Sequence, residues 1–106
     1  MVMIDKISLE IKIIEALQKI YDPEMPANIY DLGLVYNIDI NDTGYVNIKM
    51  TLTAPACPVA GEIIMEVDTK IREIDGVNDV NVMLTFDPPW NREMMTEEAK
   101  LELGFL

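Results

Sequence analysis

Thiol chemistry in this chain has a single address. Cys57 is the only cysteine, and there is no histidine. It lies in the run Thr51-Leu52-Thr53-Ala54-Pro55-Ala56-Cys57-Pro58, where a strand pattern hands over to a helix pattern. Pro58 suits the first position of a helix, because its fixed φ fits and its missing N–H would be orphaned there anyway. Cys57 is then expected at the N-cap, with the free N–H groups of Val59 and Ala60 turned toward its sulfur at the positive end of the helix dipole. A thiol so placed has a lowered pKa and more thiolate. The competing reading is a small buried hydrophobe, the ordinary fate of a free cysteine.

The missing histidine removes whole classes of chemistry. A Cys-His pair and a Ser-His-Asp triad are both excluded. The sequence has neither a P-loop nor a Gly-x-Gly-x-x-Gly turn. A structural zinc site wants several nitrogen or sulfur ligands, and one chain cannot provide them. One thiol with nearby carboxylates is instead an open site, able to share a metal or cluster with another chain. Iron–sulfur clusters take about four ligands, usually thiolates. A homodimer with two Cys57 sulfurs, or one chain plus the thiols of a client protein, would supply them.

The elements that must position Cys57 read as follows. A first helix is expected from about Ser8, its N-cap, to Ile20, with Ile7, Ile11, Ile14, Leu17 and Ile20 as the apolar stripe. Asp22-Pro23-Glu24-Met25-Pro26 stops it, since each proline biases the preceding residue out of the α region. Residues 22–33 read as an ordered loop with one helical turn over Ile29–Leu32, closed by Gly33 at positive φ. Its two acids and two prolines are either a stiff carboxylate-bearing tip or a plain helix end and turn. Leu34, Tyr36, Ile38 and Ile40 alternate as a strand, and Asn41-Asp42-Thr43-Gly44 is turn chemistry. Val46, Ile48, Met50 and Leu52 then form the second arm of a hairpin.

Pro58 to about Ile74 is a second helix, with Ile63, Val67, Ile71 and Ile74 on its inner face. Gly61 is a weak helix former in its first turn and suggests close approach of a neighbouring element or of a ligand. Val80, Val82, Leu84 and Phe86 make a third strand, and Asp87-Pro88-Pro89-Trp90 leads out of it. Thr96 caps a last helix that runs to Leu103 and stops at Gly104. The fold class is therefore α+β: α-β-β-α-β plus a C-terminal helix, with a three-stranded mixed sheet and helices on one face.

The 106 residues suit one domain over 1–106, long enough to bury about two-thirds of the unfolded surface without a disulfide. The start, Met1-Val2-Met3-Ile4-Asp5-Lys6, lacks the basic segment and long apolar run of a signal peptide. No stretch is long enough to span a bilayer. A cytoplasmic location is expected. Nineteen acids face eight bases, for a formal charge of −11, and between Tyr21 and Thr69 only Lys49 is positive. Nucleic acid and anionic membranes are thus poor partners. The acidity serves solubility, or attracts cations or a basic partner. It also opposes thiolate formation at Cys57.

Four segments carry a family resemblance: Asp22-Pro23-Glu24; Asn28-Ile29-Tyr30-Asp31-Leu32-Gly33-Leu34-Val35-Tyr36; Thr51-x-Thr53-x-Pro55-x-Cys57-Pro58; and Phe86-Asp87-Pro88-Pro89-Trp90. In this order and spacing, from about Ile11 to Leu103, the chain resembles the SufT/PaaD-like family of iron–sulfur cluster assembly proteins. The resemblance implies the small α/β assembly-domain fold and a part in maturing iron–sulfur proteins as carrier, scaffold or targeting adaptor. It implies Cys57 as the contact to iron or to a transient cluster, with Asp22 and Glu24 nearby and Thr51 and Thr53 lining the same pocket. PaaD-like members have further cysteines toward the C-terminus, which this chain lacks. The single-domain SufT-like branch fits better.

Trp90 either caps the core edge beside Phe86 or, with Pro88 and Pro89, forms a stiff aromatic arm that docks a partner. Met94 and Met95 belong to that surface or simply pack. Three functions compete. One is a maturation factor that relays iron or a cluster through Cys57 to client or scaffold proteins. Another is a non-catalytic adaptor using the acidic surface and the Pro-Pro-Trp arm. The third is a thiol-dependent sulfur transferase, disfavoured because Asp22 and Glu24 are the only bases in view. A non-enzymatic role is expected.

Overall fold

Hydrophobic alternation over residues 35–50 builds the centre of the protein. The computed structural model describes residues 5–22, 25–53 and 60–104. Helix α1 spans Lys6–Leu17, strands β1 and β2 span Val35–Ile40 and Tyr45–Met50, helix α2 spans Ala60–Arg72, and strand β3 spans Asp79–Leu84. A 3₁₀ turn at Arg92–Met94 precedes helix α3, Glu97–Glu102. The strands lie in the order β1-β2-β3. β1 and β2 are antiparallel, while β2 and β3 are parallel across the α2 crossover. This is the mixed three-stranded α+β architecture expected from the pattern.

The sheet has one covered face. Val46, Ile48 and Met50 of β2 are buried, whereas Lys49 on the other face is exposed. Ile63, Val67 and Ile71 of α2 join the same core, as their spacing predicts. The hairpin turn is held by Asn41, whose Oδ1 accepts from the N–H groups of Thr43 and Tyr45. At the far end of α2, the Arg72 guanidinium donates to Asp68 on its own helix and to Asp79 at the start of β3. It thereby clamps the helix C-terminus to the strand it feeds.

Helix α1 differs from expectation in start and in rotation. Asp5, not Ser8, is the N-cap, and its Oδ1 accepts from Ile7 N–H and Ser8 N–H at 3.1 and 3.2 Å. A carboxylate beside free N–H groups outcompetes a hydroxyl two residues into the first turn. The buried stripe is Leu9, Ile13 and Leu17, continued by Ile20 past the helix end. Ile7 and Ile11 are 75% and 53% exposed. Apolar residues at 7, 9, 11, 13 and 14 surround the helix, so periodicity leaves two stripes. The set that continues through half-buried Ala16 and Leu17 is the one that packs.

The strands end earlier than alternation suggests. β1 begins at Val35 and carries an irregularity between Val35 and Asn37, which makes Tyr36 the extra residue. β2 ends at Met50 and β3 at Leu84. Along β3 burial fades from Val80 through Val82 to exposed Leu84 and Phe86. Alternation sets the face of a strand, but not how far the covering layer reaches. The expected start of α2 at Pro58 lies outside the described residues.

Candidate functional site

The loop over residues 22–33 is built by its own backbone. Asp22 N–H donates to Ala27 O, and Ile29 N–H returns to Ile20 O at 2.8 Å. Asn28 Oδ1 accepts from Asp31 N–H, which starts the single helical turn expected here. That turn closes through Leu32 N–H to Asn28 O. Gly33 follows at φ +79°, and a Cβ there would collide with the Met94 carbonyl. The positive φ and the close approach together explain the glycine.

A relay of main-chain bonds connects this loop to the end of β2. Leu34 N–H donates to Ile29 O at 3.1 Å, and Thr51 N–H donates to Leu34 O at 2.8 Å. Thr85 N–H donates to Met50 O at 2.9 Å. The start of β1 and the ends of β2 and β3 therefore share one edge of the sheet, the edge from which the chain leaves β2 toward α2.

Two buried polar residues sit on these segments. Asp22 is only 6% exposed, and its Oδ1 accepts from Met25 N–H at 3.0 Å. Its carboxylate thus lies inside the loop and not at an exposed tip. A short acidic side chain at a helix exit folds back on nearby N–H groups. Thr51 is fully buried, and its hydroxyl has no hydrogen-bond partner among the described residues. Such an orphan costs about 1–3 kcal/mol. Thr53, two residues on, is half-buried. Cys57 and Glu24 lie outside the described residues, as do Pro23, Pro55 and Pro58. The N-cap expected at Cys57 lies there too.

The C-terminal arm is fastened to the same edge. Trp90 is half-buried against the core, and its Nε1–H donates to Leu32 O at 2.6 Å. Tyr36 O–H donates to Pro88 O at 2.7 Å. Thr96 N–H donates to Asp31 O at 2.8 Å. Met95 is buried and Met94 half-buried with its sulfur near the Tyr36 hydroxyl, so both methionines pack. Pro88 and Pro89 remain exposed. Sequence reasoning missed Tyr36 as the brace of this arm. The β1 irregularity that redirects it leaves no trace in the alternation. Among the described residues, a Cβ at Gly61 would meet nothing within 4 Å. No described element therefore packs against Gly61, and its expected approach to a ligand near Cys57 falls on a segment outside the described residues.

No group of three or more His, Cys, Asp or Glu that could hold a metal ion occurs among the described residues. No helix there is long and apolar enough to cross a membrane. Among the described residues the arrangement is an edge with a buried carboxylate and an orphan hydroxyl, set on an α+β scaffold of mixed sheet and covering helices.

Comparison with known proteins places this scaffold. Residues 10–84 match the family described as iron-sulfur cluster assembly protein, and the chain belongs to that family. It is 54% identical over 94 residues to an Fe-S protein maturation auxiliary factor of Porphyromonas gingivalis, covering 89% of this chain and 90% of that one. It is 40% identical over 85 residues to the auxiliary factor SufT of Staphylococcus aureus, covering 80% and 97%. The crystal structure of a domain of unknown function from Bacillus anthracis superposes with a TM-score of 0.86 at 34% identity, covering 93% and 94%.

Proposed function

We propose that this protein is a non-catalytic iron–sulfur maturation factor of the cytoplasm, which holds or relays iron or a transient cluster through Cys57 to client or scaffold apoproteins. The observation that carries the reading is the buried Thr51 hydroxyl, which has no partner among the described residues, six residues ahead of the only thiol. A donor held dry and unsatisfied is paid for in stability, and such groups persist where a ligand uses them. A hydroxyl donating to a thiolate or a sulfide is suitable chemistry. Asp22, Glu24 and Thr53 complete the proposed lining. The names of the relatives, maturation auxiliary factors, support the same role. One cysteine does not complete a cluster's ligand set. The cluster is therefore cargo, whose remaining ligands come from a second chain or from the recipient.

Anaerobic reconstitution tests the proposal. The wild type is expected to retain iron and sulfide with visible charge-transfer absorbance, and Cys57→Ala is expected to lose both. A Cys57→Ala protein with the full spectrum refutes ligation by this sulfur.

A second reading, an adaptor that docks clients without holding a cluster, is favoured by the exposed Pro88-Pro89 pair on its braced arm. Trp90 anchors that arm in this reading. Trp90→Ala would then weaken client binding while Cys57→Ala leaves it intact.

A further inference from the structure

The seam between α1 and α2 opens into a groove of about 490 Å³. Ala16, Ile20 and Ile74 contribute its apolar walls, and Lys12, Lys19 and Lys70 stand around them. Those three are drawn from only eight bases in a chain of formal charge −11. Among the described residues none of the three takes part in a salt bridge. Glu15 and Glu66 also line the groove, which leaves it one unit positive while the rest of the molecule is strongly negative.

The complementary shape is on α3. Leu101 is 68% exposed although Ala99, on the other side of the same helix, is buried in the core. Glu97 and Glu98 lie one turn earlier on the Leu101 side, and both are exposed. Thr96 N–H to Asp31 O holds α3 on the turn that precedes β1, not on the α1–α2 seam. An apolar knob with two carboxylates one turn before it thus stands on one surface, and an apolar groove with three ammonium groups and two carboxylates, net positive, on another.

We infer that the groove receives α3 of a second copy of this chain. Leu101 enters against Ala16, Ile20 and Ile74, and Glu97 and Glu98 meet Lys12, Lys19 and Lys70. Two copies carrying −11 each repel in most orientations. Opposed charge around an apolar contact selects the orientation in which they associate. Reciprocal exchange of α3 between two copies closes the assembly as a dimer.

Sedimentation velocity on the whole metal-free chain, over a concentration series reaching the hundreds of micromolar, tests this independently of any cluster. Wild type is expected to shift from monomer to dimer. Leu101→Asp keeps the groove but loses the knob. The double substitution Lys12→Glu with Lys70→Glu keeps the knob but loses the groove. Each is expected to remain monomeric alone, with an unchanged circular dichroism spectrum. An equimolar mixture of the two is expected to associate more than either variant alone, because one of the two reciprocal contacts, intact groove on intact knob, is then restored. A wild type that stays monomeric throughout, or a mixture that does not re-associate, overturns the inference.

Discussion

Thr51 sets a test of stability against use. Replacing its hydroxyl with a methyl group, Thr51→Val, removes a buried donor that has no partner among the described residues and keeps the shape. The variant should gain about 1–3 kcal/mol, the cost of the orphan group. Its thermal midpoint is therefore expected to rise while retained iron and sulfide fall. A higher midpoint with undiminished loading would assign the hydroxyl no part in the site. Residues of this kind are only half legible beforehand. Thr51 and Thr53 are picked out by the family resemblance, but the burial of Thr51 and its lack of a partner among the described residues emerge only in the folded structure. The same resemblance points to Asp22 as a site acid, yet its fold-back onto Met25 N–H depends on the geometry of the loop.

At the scale of elements, α1 offers a direct check of which stripe packs. Ile13→Ala should cost about 2–5 kcal/mol, as expected for a fully buried isoleucine. Ile7→Ala should stay within about 0.5 kcal/mol, because that side chain is largely solvated. Chemical denaturation of the two variants measures both, and similar losses would contradict the observed rotation. The α2–β3 clamp makes a second prediction. Asp79 is held below the ordinary carboxyl range, first by the hydrogen bond from Arg72 and then by its own backbone contact to Val80 N–H. A depressed acid stabilises the fold above its unfolded pKa of about 4 and loses that contribution as pH falls through the folded value. Arg72→Met should therefore lower the midpoint at neutral pH and flatten its decline below about pH 4. An acid limb as steep as the wild type's would show that the clamp contributes nothing. The order of these elements was readable because period and turn residues are local properties. The face of α1 and the bulge at Tyr36 were not, because two stripes or two registers can satisfy the same local pattern.

For the molecule as a whole, charge dominates. A net −11 on 106 residues makes the native state repel itself. Added sodium chloride should raise the thermal midpoint by screening that repulsion. A midpoint independent of salt would mean that the charges are already dispersed enough not to matter. The α-β-β-α-β order with its C-terminal helix, the acidic character, the lone thiol and the family motifs are all legible without a fold. These are properties of residue type and spacing along the chain. Folding alone settles which α1 stripe is buried, that Thr51 is left without a partner among the described residues, that Trp90 and Tyr36 bind the C-terminal arm to the start of β1, and that three lysines gather in one groove. Each of those depends on contacts between residues far apart in the chain, and local pattern carries no record of such distances.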